Sequence, residues 1–189
     1  MVTAGTNTYF NGTGYDTGVE LWKTDGTAAG TVLVLDIFSG TSSSSPSSLA
    51  AIGSTLYFAA TNSANGRELW KSDSTAGGTV LVSDLIAGTT SSSPQFLTNV
   101  NGTLFFNDFS LTSGQELWRS DGTAAGTVLV FDMLPGSGSG FPTNMTAVGT
   151  QLFFTGRATG TGTSELFMID TAPAADITVE QPLATNLTD

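Results

Sequence analysis

The sequence predicts an all-β fold, a β-propeller of four-stranded antiparallel blades, and three observations predict it. The chain repeats about every 48 residues, each repeat reads as four short strands, and each ends in a polar linker able to recross a sheet. Glu20, Glu68 and Glu116 are spaced by 48, with Glu165 following at 49. The aromatic pairs beginning at Tyr9, Tyr57, Phe105 and Phe153 keep the period, as do Pro46, Pro94 and Pro142. The blocks are therefore 1–45, 46–93, 94–141 and a fourth from 142, with Met1 aligned to Leu49, Leu97 and Met145.

The second block displays the elements in order. Its first run, "SLAAIG" (48–53), has small side chains, which suit strands converging on an axis. "TLYFAA" (55–60) follows, then a turn through "TNSANG", then "RELWKSD" (67–73). A second hairpin through "STAGG" leads to "TVLVSDL" (79–85). The second and fourth runs are nearly continuous hydrophobics, as expected of strands covered on both faces. Linkers such as "FSGTSSSSP" read as polar and flexible. From Phe38 to Pro46 such a segment reaches roughly 26 Å, whereas crossing a four-stranded sheet takes only about 14 Å. The linker thus returns the chain from the outer edge of one sheet to the inner start of the next. A parallel solenoid would use shorter coils, and a sandwich rarely repeats so strictly.

The fourth block departs from this pattern. It has Phe167 where the others have Trp, and it lacks the DGTxxGT hairpin. Residues 1–170 read as propeller repeats. Residues 171–189 are read either as the outer strand of a last blade spanning 142–189, through "DITVEQP", or as a linker opening a following module after a blade spanning 142–170. Blade number stays open between a four-bladed ring, a pair of chains completing eight blades, and part of a larger ring.

Composition removes several function classes. The net charge is −11 with five basic residues, too few to displace counterions from a nucleic acid. There is no cysteine and no histidine, so disulfides, thiolate metal sites, and the usual general base and metal ligand are all missing. No stretch approaches the roughly 18 apolar residues of a membrane helix. The opening "MVTAGTNTYF" lacks the features of a signal peptide, and its place within the repeat predicts a chain cut from a longer protein at a repeat boundary.

The repeated string "ELWKTDGTAAGTVLVLD" (20–36) concentrates the candidate chemistry. Asp25, Asp73 and Asp121 head the DGT or DST turn, where an aspartate accepts backbone N–H bonds two residues on; these read as turn formers. Glu20 with Trp22, Glu68 with Trp70 and Glu116 with Trp118 share a strand face at i and i+2. They read either as one sugar-stacking site per blade or as blade–blade packing, with Trp in the neighbouring sheet and Glu bonded to backbone or a basic residue. Asp36, Asp84 and Asp132, ending the outer strand, are candidates for Ca²⁺, although no D-x-D-x-D-G loop accompanies them. Eleven of the sixteen acids occupy repeat-equivalent positions, and the rest (Asp16, Asp108, Asp176, Glu180, Asp189) are placed in loops or the tail. No catalytic residue is assigned, and no cofactor beyond the Ca²⁺ candidate. Sequons begin at Asn11, Asn101, Asn144 and Asn186.

The string "ELWKTDGTAAGTVLVLDI" resembles the ELWxxDGT repeat of large bacterial surface and secreted proteins, in three full copies and a degraded fourth over roughly 1–170. The resemblance implies extracellular propeller-like arrays, often followed by immunoglobulin-like or anchoring modules, the start of which "ADITVEQPLATNLTD" weakly resembles. It implies no enzymatic activity. The expected function is a non-catalytic extracellular module for adhesion, surface display or matrix scaffolding. The alternatives are a glycan- or Ca²⁺-dependent binding module with one site per blade, and a subunit that self-assembles into a larger ring or fibre. Expected partners are glycans, other surface proteins or further copies of the chain.

Overall fold

A computed structural model of the chain describes residues 1–158, 162–171 and 178–180, the last three by backbone alone. It contains four four-stranded antiparallel sheets and no helix among the described residues. The first sheet takes β1 (Val2–Ala4), β2 (Asn7–Gly14), β3 (Gly18–Thr24) and β4 (Val32–Leu35). The second takes β5 (Ser47–Ile52), β6 (Thr55–Asn62), β7 (Gly66–Ser72) and β8 (Val80–Ser83). The third takes β9 (Gln95–Val100), β10 (Thr103–Ser110), β11 (Gly114–Ser120) and β12 (Val128–Phe131). The fourth takes β13 (Thr143–Val148), β14 (Gln151–Gly156), β15 (Glu165–Asp170) and β16 (Thr178–Glu180). Within every sheet the spatial order is the chain order. β16 pairs with β15 in the register Asp170 to Thr178, so "TVE" fills the fourth-strand place in the last sheet. Residues 172–177 and 181–189, including Asp176, Asn186 and Asp189, lie outside the described residues.

Successive sheets stack face to face, and the alternation of side chains decides which residues meet. Tyr9 and Leu21 of the first sheet pack with Leu56, Phe58 and Trp70 of the second. Tyr57 and Leu69, from the other face of the second sheet, pack with Leu104, Phe106 and Trp118 of the third. Phe105 and Leu117 pack with Leu152, Phe154 and Phe167 of the fourth. Each middle sheet is thus apolar on both faces, and β6 and β10 are buried almost throughout. The fourth strands differ from the expectation of full cover. Val32, Val80 and Leu129, on the edge strands of their sheets, are partly exposed.

The first strands lie against one another in succession, β1 on β5, β5 on β9 and β9 on β13. The sheets are not closed into a ring. β5, β9 and β13 each carry a register irregularity against their partners, and Ser48, Phe96 and Asn144 there have positive φ (52°, 56° and 54°).

Candidate functional site

The third strand, the linker after the fourth, and the second strand of the next sheet meet at the motif glutamate. Glu20 accepts the backbone N–H of Ile37 at 3.1 Å and of Ser44 at 2.8 Å, and the Ser44 hydroxyl as well. Glu68 accepts Leu85 N–H at 3.3 Å, Ser92 N–H at 2.7 Å and Ser92 Oγ at 2.6 Å. Glu116 accepts Met133 N–H at 2.9 Å and Gly140 N–H at 2.6 Å. Donors 17 and 24 residues downstream recur in each repeat, so one carboxylate grips both ends of the linker. All three glutamates are fully buried.

The linker backbone completes the seam. Ser45 N–H donates to Val19 of the sheet it leaves, and Thr61 N–H of the sheet it enters donates to Ser44. Ser93 with Arg67, and Phe109 with Ser92, repeat the pattern, as do Phe141 with Gln115 and Arg157 with Gly140. The linkers read as flexible are therefore fastened at their C-terminal ends. Composition showed polar, small residues; it did not show the buried acceptor waiting 24 residues upstream.

Burial and hydrogen bonding oppose each other at Glu68 and Glu116. Burial raises Glu68 above the usual carboxylate range against its Ser92 and Leu85 donors, and the nearby Asp84 charge adds to the rise. Glu116 is pushed up to about 7 by burial, with Asp132 adding to it and the Met133 and Gly140 donors opposing. At this third copy Gly140 stands where Ser44 and Ser92 supply a hydroxyl.

Two of the three motif tryptophans lie between sheets. Trp70 is buried against the first sheet and Trp118 packs toward the second, each paired across the strand with Phe58 or Phe106. Trp22 pairs with Phe10 and lies across Gly12, where a Cβ would come within 2.5 Å of the indole. The glutamates therefore offer no free carboxylate beside an open aromatic face for a sugar: their oxygens are taken by backbone and their surface is closed.

Asp25, Asp73 and Asp121 build one turn three times. Asp25 Oδ1 accepts Thr27 N–H at 2.9 Å and Thr27 Oγ1–H at 2.7 Å, and Thr27 Oγ1 accepts Gly30 N–H at 2.9 Å. The same bonds recur at Asp73 with Thr75 and Gly78, and at Asp121 with Thr123 and Gly126. The threonine bonds hold all three carboxylates below the usual range. A Cβ on Gly30, Gly78 or Gly126 would fall within about 2.1 Å of the turn carboxylate, which explains the second glycine of the motif. The motif lysine reaches forward: Lys23 Nζ donates to Ser74 O and Lys71 Nζ to Gly122 O, both at 2.8 Å. The second and third turns are thereby tied to the preceding sheet.

Asp36, Asp84 and Asp132 each use one oxygen, accepting from Gly40 N–H, Asn65 Nδ2–H and Gly136 N–H respectively. The Oδ1 atom of each is buried without a protein hydrogen-bond partner. Among the described residues no group of three acidic side chains gathers that would hold a metal ion.

One acid departs from its expected place. Asp108, assigned to a loop, lies within β10 and is fully buried. Its repeat equivalents are Gly12, Ala60 and Gly156, so periodicity gave no reason to expect a strand carboxylate there. Its Oδ1 accepts Phe109 N–H at 2.9 Å, and its Oδ2 lies 3.2 Å from Ser92 Oγ, the hydroxyl already bonded to Glu68. Desolvation pushes it well above the carboxylate range. Asn11 and Asn107 were also unforeseen; their Nδ2 groups donate to Pro46 O and Pro142 O at 2.6 and 3.0 Å, tying the second strand to the linker end.

Compared with protein-family models, with curated proteins and with solved structures, the chain gives no match.

Proposed function

We propose that the chain is a non-catalytic repeat module of propeller type, akin to the ELWxxDGT repeat proteins, serving extracellular adhesion, surface display or matrix scaffolding. One observation carries the reading: the polar groups that recur are spent on holding the sheets together. Glu20, Glu68 and Glu116 grip linkers, Asp25, Asp73 and Asp121 close turns, and Lys23 and Lys71 tie sheet to sheet. Catalysis by carboxylates needs an asymmetric pair facing a substrate, whereas these acids recur identically and are either closed off or engaged in turns. Succession of first strand against first strand supports the propeller-type curvature. The test is a panel of glycosides and peptides incubated with purified protein; turnover at enzyme-like rates sinks the proposal.

The buried, unpartnered Oδ1 atoms of Asp36, Asp84 and Asp132 favour a second reading, Ca²⁺-dependent binding with one cation per sheet. Six to eight oxygens are needed around Ca²⁺, and one carboxylate per site leaves the rest to backbone and water. Calorimetry with Ca²⁺, read beside melting curves with and without chelator, decides it. Heat saturating near one cation per sheet with a raised melting temperature supports this reading, and flat titrations reject it.

A further inference from the structure

We propose that the exposed face of the fourth sheet docks on the exposed face of the first sheet of a second copy, continuing the stack head to tail. The three internal junctions define what each face is built to meet. In all three, the face carrying Leu21, Leu69 or Leu117 is covered by the next sheet, and these leucines are 0%, 1% and 0% exposed. Their equivalent in the fourth sheet, Leu166, is 42% exposed. Val148 is 57% exposed, whereas two of its equivalents, Ala4 and Val100, are buried and the third, Ile52, is half-buried. Phe153 and Met168, paired across β14 and β15, complete an apolar patch beside them.

The first sheet presents the opposite partner. Its other face carries Phe10 and Trp22, equivalents of the pairs Phe58 with Trp70 and Phe106 with Trp118 that the preceding sheet covers. Phe58, Phe106 and Phe154 are fully buried, while Phe10 is only half-buried. One acid shares each face: Glu20, alternating with Trp22 on β3, is fully buried and bonded to its own linker, and Asp170, alternating with Met168 on β15, lies in the cross-strand row of Gln151 and Val148. Two first sheets facing each other, or two fourth sheets, would form a contact of a kind absent from all three internal junctions.

The contact between copies is weaker than the internal ones. Met168 stands where Lys23 and Lys71 donate to the next turn, and Thr8 stands where Leu56, Leu104 and Leu152 are buried. Association therefore depends on concentration, and a head-to-tail contact either closes a ring or extends a filament. The proposal shares with the scaffold reading only the stacking of sheets; enzymatic turnover would overturn that reading and leave this contact standing.

The test is sedimentation velocity of the 189-residue chain over a hundredfold range of concentration. The wild type is expected to associate as concentration rises. Phe10→Glu and Leu166→Glu are each expected to be monomeric alone, and an equimolar mixture to give a 1:1 dimer and nothing larger, because only one intact head and one intact tail remain. Thr8→Arg and Val148→Arg repeat the design at more tolerant positions if either first variant loses its melting transition. A wild type that stays monomeric, a single variant that still self-associates, or a mixture of folded variants that does not pair each overturns the proposal.

Discussion

Asp108 and Glu68 reach the same hydroxyl across the junction of the second and third sheets: Ser92 Oγ lies 3.2 Å from Asp108 Oδ2 and 2.6 Å from Glu68 Oε2. One hydroxyl proton cannot serve two carboxylates. A protonated Asp108 resolves the conflict by donating to Ser92 Oγ while Ser92 donates to Glu68. Burial raises both acids, the Glu68 charge adds to the rise at Asp108, and Glu116, directly opposite Asp108 in register, is raised to about 7.

The sign of the pH dependence follows. An acid raised in the folded state holds its proton where the unfolded chain has lost it, so stability falls as pH rises between the two values. The melting temperature is expected to decline from pH 5 to pH 8, through the window set by Glu116 near 7. Asp108→Asn keeps a donor without the charge, so it should raise the melting temperature at pH 8 and flatten the decline. Melting curves over that range check it; a flat wild-type profile contradicts it. Below the carboxylate range the trend reverses, because Asp25, Asp73 and Asp121 are held low and lose their turn bonds on protonation.

Removing a linker clamp should be costly. Glu68→Ala leaves the backbone Leu85 N–H and Ser92 N–H without their acceptor. At about 1–3 kcal/mol for each buried unsatisfied group, a loss of about 3 kcal/mol or more is expected in denaturant titration. Hydrogen exchange supplies the local signature: Ser92 N–H should lose protection while β9 and β10 keep theirs.

Equivalent tryptophans should differ by position. Trp70→Ala empties a site between two sheets and should cost about 3–5 kcal/mol. Trp22→Ala, on the uncovered face of the first sheet, should cost clearly less at concentrations where the chain is monomeric. Equal losses in chemical denaturation contradict the stacking order of the sheets.

The turn offers both a gain and a loss. Ser74 has φ 83°, where Gly26 and Gly122 have φ 94° and 89°. Ser74→Gly should therefore stabilise by roughly 1 kcal/mol, the order of a left-handed strain relieved. Gly78→Ala should destabilise, since its Cβ meets Asp73 Oδ1 at 2.0 Å. Paired urea titrations of the two variants, moving in opposite directions, check the turn geometry.

The sequence by itself determined the all-β character, the four-strand repeat and the location of its turns. Alternating branched and aromatic runs, punctuated by Gly, Asn and Asp, encode strands through interactions only a few residues long, and "TLYFAA" and "RELWKSD" became β6 and β7 with small changes at their ends. Strand alternation also put Glu68 and Trp70 at like positions, but it could not say what covered either one. That Glu68 grips a linker 24 residues away, that Asp108 shares its hydroxyl, and that Leu69 is covered while Leu166 is bare were decided only by the tertiary structure. Each depends on groups far apart in the chain and on the angle between successive sheets. That angle, summed over the sheets, fixes whether a stack meets its own beginning; here it does not.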